Sequence, residues 1–388
     1  MSVGVPRAEG GVLLVVGTRP EAIKLAPVAM ELSRRGIPSR CLLTGQHDTN
    51  ELGSLLRRIG VNHSQVRSGA DRQHRSGLAA RFVDIQRVIH DELDVSDWRC
   101  IVVQGDTSST LAGAITGFLS GVPVAHVEAG LRTFDLSRPF PEEGVRQLVA
   151  RVATVHLAPT ELAASHLMRE GIGRELIRVT GNTGLDALRL LRSASPPSVA
   201  EPGLLVLTMH RRESWGAGMA RTLAAIRDFV STRADLRLTA VSHPNPAVDR
   251  AMRGALSGVS NCRVVSPLPY ESMVDLLASA SVVLTDSGGI QEEGHAMGIP
   301  LVILREETER PEVLDGGLAA LSGTSGESVV AALISMLETS PSLVGQFRET
   351  RLGDGFASAR CVDALSQVLE SSGPTAGNPL GPGITAAQ

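Results

Sequence analysis

A short apolar run that breaks at glycine and passes into a helix-forming segment recurs along this chain, and nothing else narrows its fold as much. Gly11–Val16 (GVLLVV) comes first; it lacks the alternation of a half-exposed strand and reads as a strand buried on both faces. Gly17 ends it, and Thr18-Arg19-Pro20-Glu21 opens a helix, with Thr18 and Glu21 at capping-box spacing and Pro20 in the first turn. This corner has the outline of a phosphate cradle, with Arg19 and Lys24 as nearby cations, but it lacks the GxGxxG of a dinucleotide site. Further strands are predicted at residues 40–44, 100–104, 122–125, 154–157 and 177–180, separated by helices at 48–59, 76–93, 109–119, 142–151 and 161–171. That βα rhythm predicts an α/β fold built on a doubly wound parallel sheet.

The rhythm stops at residues 193–202 (SASPPSVAEP), which reads as a linker, and resumes with strands at 203–208, 236–241, 262–265, 282–285 and 301–304. A chain of 388 residues exceeds one ordinary core. The expectation is therefore an N-terminal Rossmann-like domain over residues 1–192 and a C-terminal Rossmann-like, nucleotide-binding domain over 203–350. The two would face each other across a cleft, with a last helix at 357–371 packing back on the first domain and residues 372–388 disordered.

Several function classes fall away on composition. A formal charge of −4 gives no electrostatic case for nucleic acid or an anionic membrane. No segment has the length and apolarity of a membrane-spanning helix, and the first residues, MSVGVPRAEGG, lack a signal-peptide pattern. Cys41, Cys100, Cys262 and Cys361 are scattered without metal-ligand spacing and read as thiols in a reducing cytoplasm; no metal and no cofactor are expected. Among 37 basic residues Lys24 is the single lysine.

The chemistry-bearing residues fall at predicted strand C-termini, where open α/β sheets bind ligands. In His126–Arg146 (HVEAGLRTFDLSRPFPEEGVR), Glu128 follows a strand and Glu142 and Glu143 open a helix; acids at a helix start also have a capping explanation. Asp106 follows the strand at 100–104, while His210 and His243 follow strands of the second series. Ser287-Gly288-Gly289 before a helix forms a credible diphosphate site, since small residues let backbone N–H groups reach phosphate oxygens, and Glu293 one turn on could take ribose hydroxyls.

In their order and wording, GTRPEAIKL (17–25), TGQH (44–47), QGDTSST (104–110), HVEAGLRT (126–133), PFPEE (139–143), GNTGLDAL, HRRES (210–214), HPNP, DSGGIQEE and ERPE resemble the non-hydrolysing UDP-N-acetylglucosamine 2-epimerases over nearly the whole chain. The resemblance implies two Rossmann-like domains in a GT-B-type arrangement, a homodimer, and interconversion of UDP-GlcNAc and UDP-ManNAc through elimination of UDP. It also implies Asp106, Glu128, Glu142 and His210 as the catalytic set, and Arg19, Lys24, Arg132, His243, Ser287, Gly288, Gly289, Glu293 and Arg310 as the substrate-binding set. Gln46, His47, Arg72, Gln73 and Arg211 match the pattern by which some bacterial members bind a second, activating UDP-sugar. Departures occur at Gly144-Val145, where the family carries asparagine, and at Gly294-His295-Ala296-Met297. An epimerase of another UDP-2-acetamido sugar and a GT-B glycosyltransferase are the alternatives.

Overall fold

The computed structural model describes residues 11–62, 66–68, 77–194, 200–209, 216–243, 245–339 and 345–371. His210, Arg211, Arg72, Gln73 and the expected tail at 372–388 lie outside the described residues. The chain divides into two compact units, one running to Ala187 and resuming at Gly355, the other spanning Leu188–Asp354.

The first unit opens with β1 (Gly11–Val16), α1 (Arg19–Arg34), β2 (Ser39–Leu43), α2 (Thr49–Ile59), β3 (Val66–Ser68) and α3 (Leu78–Val95). It continues through β4 (Trp98–Gln104), α4 (Ser108–Leu119), β5 (Val124–Val127) and α5 (Glu142–Val152). Then come β6 (Val155–Ala158), α6 (Glu161–Arg169), β7 (Ile177–Val179) and α7 (Thr183–Ala194), inside which the boundary between units falls. All strands pair in parallel in the order β3-β2-β1-β4-β5-β6-β7. The order reverses between β1 and β4, and that switch point is where such sheets open a crevice at their C-terminal edge. Continuous burial of β1, with Val12–Val16 essentially inaccessible, bears out the reading of its sequence as a two-face-buried strand.

The second unit holds β8 (Leu204–Thr208), α8 (Ala217–Ser231), β9 (Arg237–Val241), α9 (Pro246–Leu256), β10 (Cys262–Val265) and α10 (Tyr270–Ala278). It ends with β11 (Val282–Thr285), α11 (Gly288–Ala296), β12 (Leu301–Ile303), β13 (Ala319–Leu321) and α12 (Gly326–Glu338). Its parallel order, β10-β9-β8-β11-β12-β13, has its own switch point between β8 and β11. The two doubly wound sheets agree with the fold class expected. Helix α13 (Ala357–Ser371) contacts α1, β4 and β6 of the first unit. Its first turn is held by Asp186, whose buried carboxylate accepts from the Ala357 and Ser358 amides at 2.9 and 2.7 Å.

Candidate active site

At the β1–α1 corner Gly17 is required by packing, because a Cβ there would stand 1.9 Å from Ser109 Oγ at the start of α4. Thr18 caps α1 in a true capping box with Glu21. The Glu21 carboxylate does more than cap. It accepts from the Gly17 and Thr18 amides at 2.7 Å each, and from Thr107 Oγ1 and Thr110 Oγ1 of the β4–α4 corner at 2.5 and 3.1 Å. Burial pushes its pKa up despite these bonds. The amides of the expected phosphate cradle thus hold the chain's own carboxylate. Arg19 remains half-buried at the mouth of this corner.

Lys24 of α1 is paired with the candidate acid Glu128. Its Nζ stands 2.6 Å from Glu128 Oε1, and Gln104 Nε2 donates to Glu128 Oε2, so one oxygen is gripped from helix α1 and the other from strand β4. Glu128 itself adopts φ 64°, a left-handed conformation uncommon for a non-glycine residue. Asp106, beyond the neighbouring strand, takes Arg146 Nε and Nη2 at 2.8 and 2.7 Å on one carboxylate oxygen. Arg146 is anchored in turn by Glu143 at 3.3 Å.

The acids opening α5 divide sharply. Glu143 is fully buried and accepts from the Thr133 and Phe134 amides and from Gln147, which makes it a clamp on the preceding loop. Glu142 is half-buried and, among the described residues, no hydrogen bond or ion pair engages its carboxylate. Val145, at the departure from the family pattern, packs into the hydrophobic core with Val149.

His126 lies inside β5, which starts two positions later than the predicted run of residues 122–125. Its Nε2 pairs with the Gly105 carbonyl oxygen at 2.8 Å, and burial pushes its pKa down to about 3, leaving it a neutral structural group. Arg132 is engaged within the protein: its guanidinium is fully buried in a two-pronged bond to Glu170, at 2.6 and 3.0 Å. Gln46 Oε1 accepts from Ser109 N and Oγ at 3.0 and 2.7 Å, tying the β2–α2 loop to α4, while His47 is exposed beside it.

In the second unit, Ser287 caps α11 through its Oγ, and its own amide donates to Thr285 Oγ1 at 3.0 Å. Gly288 and Gly289 occupy the first helical positions, whose amides have no partner within a helix and favour anions. The guanidinium of Arg310 lies against Gly288, where a Cβ would come within 2.6 Å of Nη1. Glu292 and Glu309 hold that arginine in place. Glu293 Oε1 accepts from the hydroxyl of Tyr270, the only tyrosine of the chain, at 2.9 Å. His243 Nδ1 accepts from the Asn245 amide at 3.0 Å.

Four partners were not singled out from sequence: Gln104, Arg146, Glu143 in its clamping role, and Tyr270. Gln104 and Arg146 belong to quoted motifs, and their adjacency to the acids was the available signal.

A family model described as UDP-N-acetylglucosamine 2-epimerase matches residues 30–366. The chain is 35% identical over 374 residues to a UDP-N-acetylglucosamine 2-epimerase of Yersinia pestis, covering 91% of this chain and 98% of that one. A crystal structure of a UDP-GlcNAc 2-epimerase from Neisseria meningitidis bound to UDP-GlcNAc superimposes with a TM-score of 0.81 at 30% identity, covering 92% of this chain and 100% of its own. The UDP-GlcNAc 2-epimerase of Methanocaldococcus jannaschii, in complex with UDP-GlcNAc and UDP, gives a TM-score of 0.76 at 28% identity over 92% of this chain and 99% of its own. Matched over 91% of its length in sequence and 92% in fold, the chain belongs to the UDP-N-acetylglucosamine 2-epimerase family.

Proposed function

We propose that this chain interconverts UDP-GlcNAc and UDP-ManNAc without hydrolysing them. C2 of the sugar carries a hydrogen and an acetamido nitrogen, with no adjacent carbonyl to acidify that hydrogen. Elimination avoids the difficulty: a carboxylate takes the C2 proton while the C1–O bond breaks, UDP leaves with the electron pair, and a C1=C2 double bond forms. UDP then adds back to C1, and a proton is delivered to the opposite face of C2. The observation that carries this reading is Glu128, gripped by Lys24 and Gln104 and accompanied at the switch-point edge by Asp106 and, opening α5, by the half-buried Glu142. Two oriented acceptors and a third acid suit proton removal on one face and return on the other.

The Ser287-Gly288-Gly289 turn, with Arg310 behind it, suits the diphosphate, and Glu293 suits the ribose. Arg19, His210 and His243 complete the proposed nucleotide-binding and reaction-centre groups. A homodimer is supported by exposed apolar side chains on the adjoining helices α4 and α5, Phe118, Leu119 and Leu148, at 51, 74 and 55% exposure. Sedimentation velocity tests it: a monomer at micromolar concentration refutes it. The cytoplasm is the proposed location, in keeping with Cys41, Cys100 and Cys361 as buried free thiols.

The chemical test follows C2 by NMR after incubation with UDP-GlcNAc in deuterated water. Deuterium at C2 together with UDP-ManNAc is expected. Free ManNAc with UDP would mean hydrolysis, and no exchange with any UDP-2-acetamido sugar would refute the proposal.

A further inference from the structure

Among the described residues, only Glu128 and Phe134 adopt a left-handed backbone without being glycine, at φ 64° and 61°. Both sit in the connection from β5 to α5, which runs from one candidate acid to another. A bulky side chain at positive φ is an outlier that persists only where its surroundings hold it. The surroundings of Phe134 are specific. Its ring meets His166 edge-on, with centroids 5.2 Å apart, and the Arg169 guanidinium lies 4.9 Å from its centre. Both partners are on α6. The same helix grips the connection at two more points, through His166 Nδ1 on the Gly130 carbonyl oxygen at 3.1 Å and through Glu170 at its C-cap on Arg132.

Between those grips and α5 the segment is closed on itself. Glu143 takes the Thr133 and Phe134 amides, Thr133 Oγ1 donates to the Arg138 carbonyl oxygen at 2.5 Å, and the Arg138 amide donates to the Asp135 carbonyl oxygen at 2.9 Å. Yet the Phe134 ring is 47% exposed, so core burial does not account for its place there.

We propose that Phe134 is a positioning residue: docked on Arg169 and His166 of α6, it holds the β5–α5 connection so that Glu142 keeps a fixed place relative to Glu128. The role rests on the epimerase reading for its effect on turnover, whereas the brace itself does not. A substitution of the ring loses an aromatic and a cation–π contact, enough to shift a conformational equilibrium by about tenfold.

Glycine separates this from a merely structural role. Phe134→Gly relieves the left-handed strain, so a structural role predicts an equally or more stable, fully active protein. Positioning predicts that kcat falls about tenfold in Phe134→Gly and Phe134→Ala. KM for UDP-GlcNAc should stay within about twofold, Phe134→Tyr should restore turnover, and Arg169→Gln should be non-additive with Phe134→Ala. Hydrogen exchange supplies the second readout: the hydrogen-bonded amides of Asp135, Ser137 and Arg138 should exchange about tenfold faster in Phe134→Ala. Unchanged kcat in both the glycine and alanine variants overturns the positioning role, and unchanged exchange overturns the brace. A wild-type protein that turns over no UDP-2-acetamido sugar refutes the epimerase reading and with it the effect on turnover, while the exchange result still decides the brace.

Discussion

Acid should unfold the first unit sooner than its carboxylates can explain, and His156 supplies a measurable part of the reason. On β6 it stands in register with His126 on β5, and both rings are 1% exposed. Among the described residues neither ring nitrogen of His156 has a hydrogen-bond partner, and burial with the nearby Arg132 pushes its pKa down to about 4, against a partial upward pull from Glu170. His126 is pushed down to about 3, chiefly by burial, with Asp106 and the Gly105 bond pulling the other way. The unfolded chain takes up these protons near the ordinary histidine value of 6.5, the folded chain only near 3 to 4. The unfolded state therefore binds more protons as pH falls through that window, and stability is lost on acidification. From pH 8 to pH 5 each histidine contributes a loss of about 2 kcal/mol, together about 4 kcal/mol, out of a total of roughly 5–15 for a typical domain.

Glu21 works in the opposite direction: its raised pKa contributes stability that is lost as pH rises. Glu31, lowered to about 2, matters only once pH drops below about 4.5. The clean quantity is therefore a difference between variants. In a Trp215→Phe background, fluorescence of Trp98 in β4 reports on the first unit. Urea titrations at pH 8 and pH 5 should show a loss about 2 kcal/mol smaller in His156→Leu than in the parent. Identical pH losses would refute the assignment of His156 as a buried neutral ring.

Glu128→Gln should abolish deuterium incorporation at C2 while UDP still binds in calorimetry; a folded variant that no longer binds UDP would make Glu128 a ligand-holding group. Arg132→Met strands Glu170 and should cost about 3 kcal/mol in denaturant titration, with KM for UDP-GlcNAc unchanged where the protein is folded. A raised KM at full stability would return Arg132 to the substrate site. Tyr270→Phe removes a donor from Glu293 and should weaken UDP binding about tenfold, and an unchanged Kd would separate Glu293 from the ribose.

What could be read from the sequence, and what could not, follows from the range of the interactions. Buried parallel strands are continuous apolar runs, so β1, β4, β8 and β11 stand out, and with the glycine breaks they define two doubly wound sheets. β3 and β13, three-residue edge strands, have no counterpart among the expected strands. Glu142 and Glu143 are identical in type and adjacent. Which one is buried depends on the phase of α5 against a loop ten residues upstream, which composition does not encode. The burial of Arg132 is illegible for the same reason, since its partner Glu170 lies 38 positions away on another element. The capping box of Thr18 and Glu21 was local and legible, whereas the second pair of bonds from that carboxylate, to Thr107 and Thr110, crosses to a different corner of the sheet.

That carboxylate makes the β1–α1 corner a receptor that carries its own ligand. A phosphate or sulfate ion from solution has to displace a tethered competitor whose effective concentration is on the order of millimolar or higher. It would also have to free two threonine hydroxyls engaged on the far side of the same group. The corner is selective by prior occupancy. Glu21→Ala should therefore show a gain: a weak sulfate-dependent rise in thermal midpoint that the parent chain lacks, and its absence would mean the vacated amides collapse onto the threonines instead.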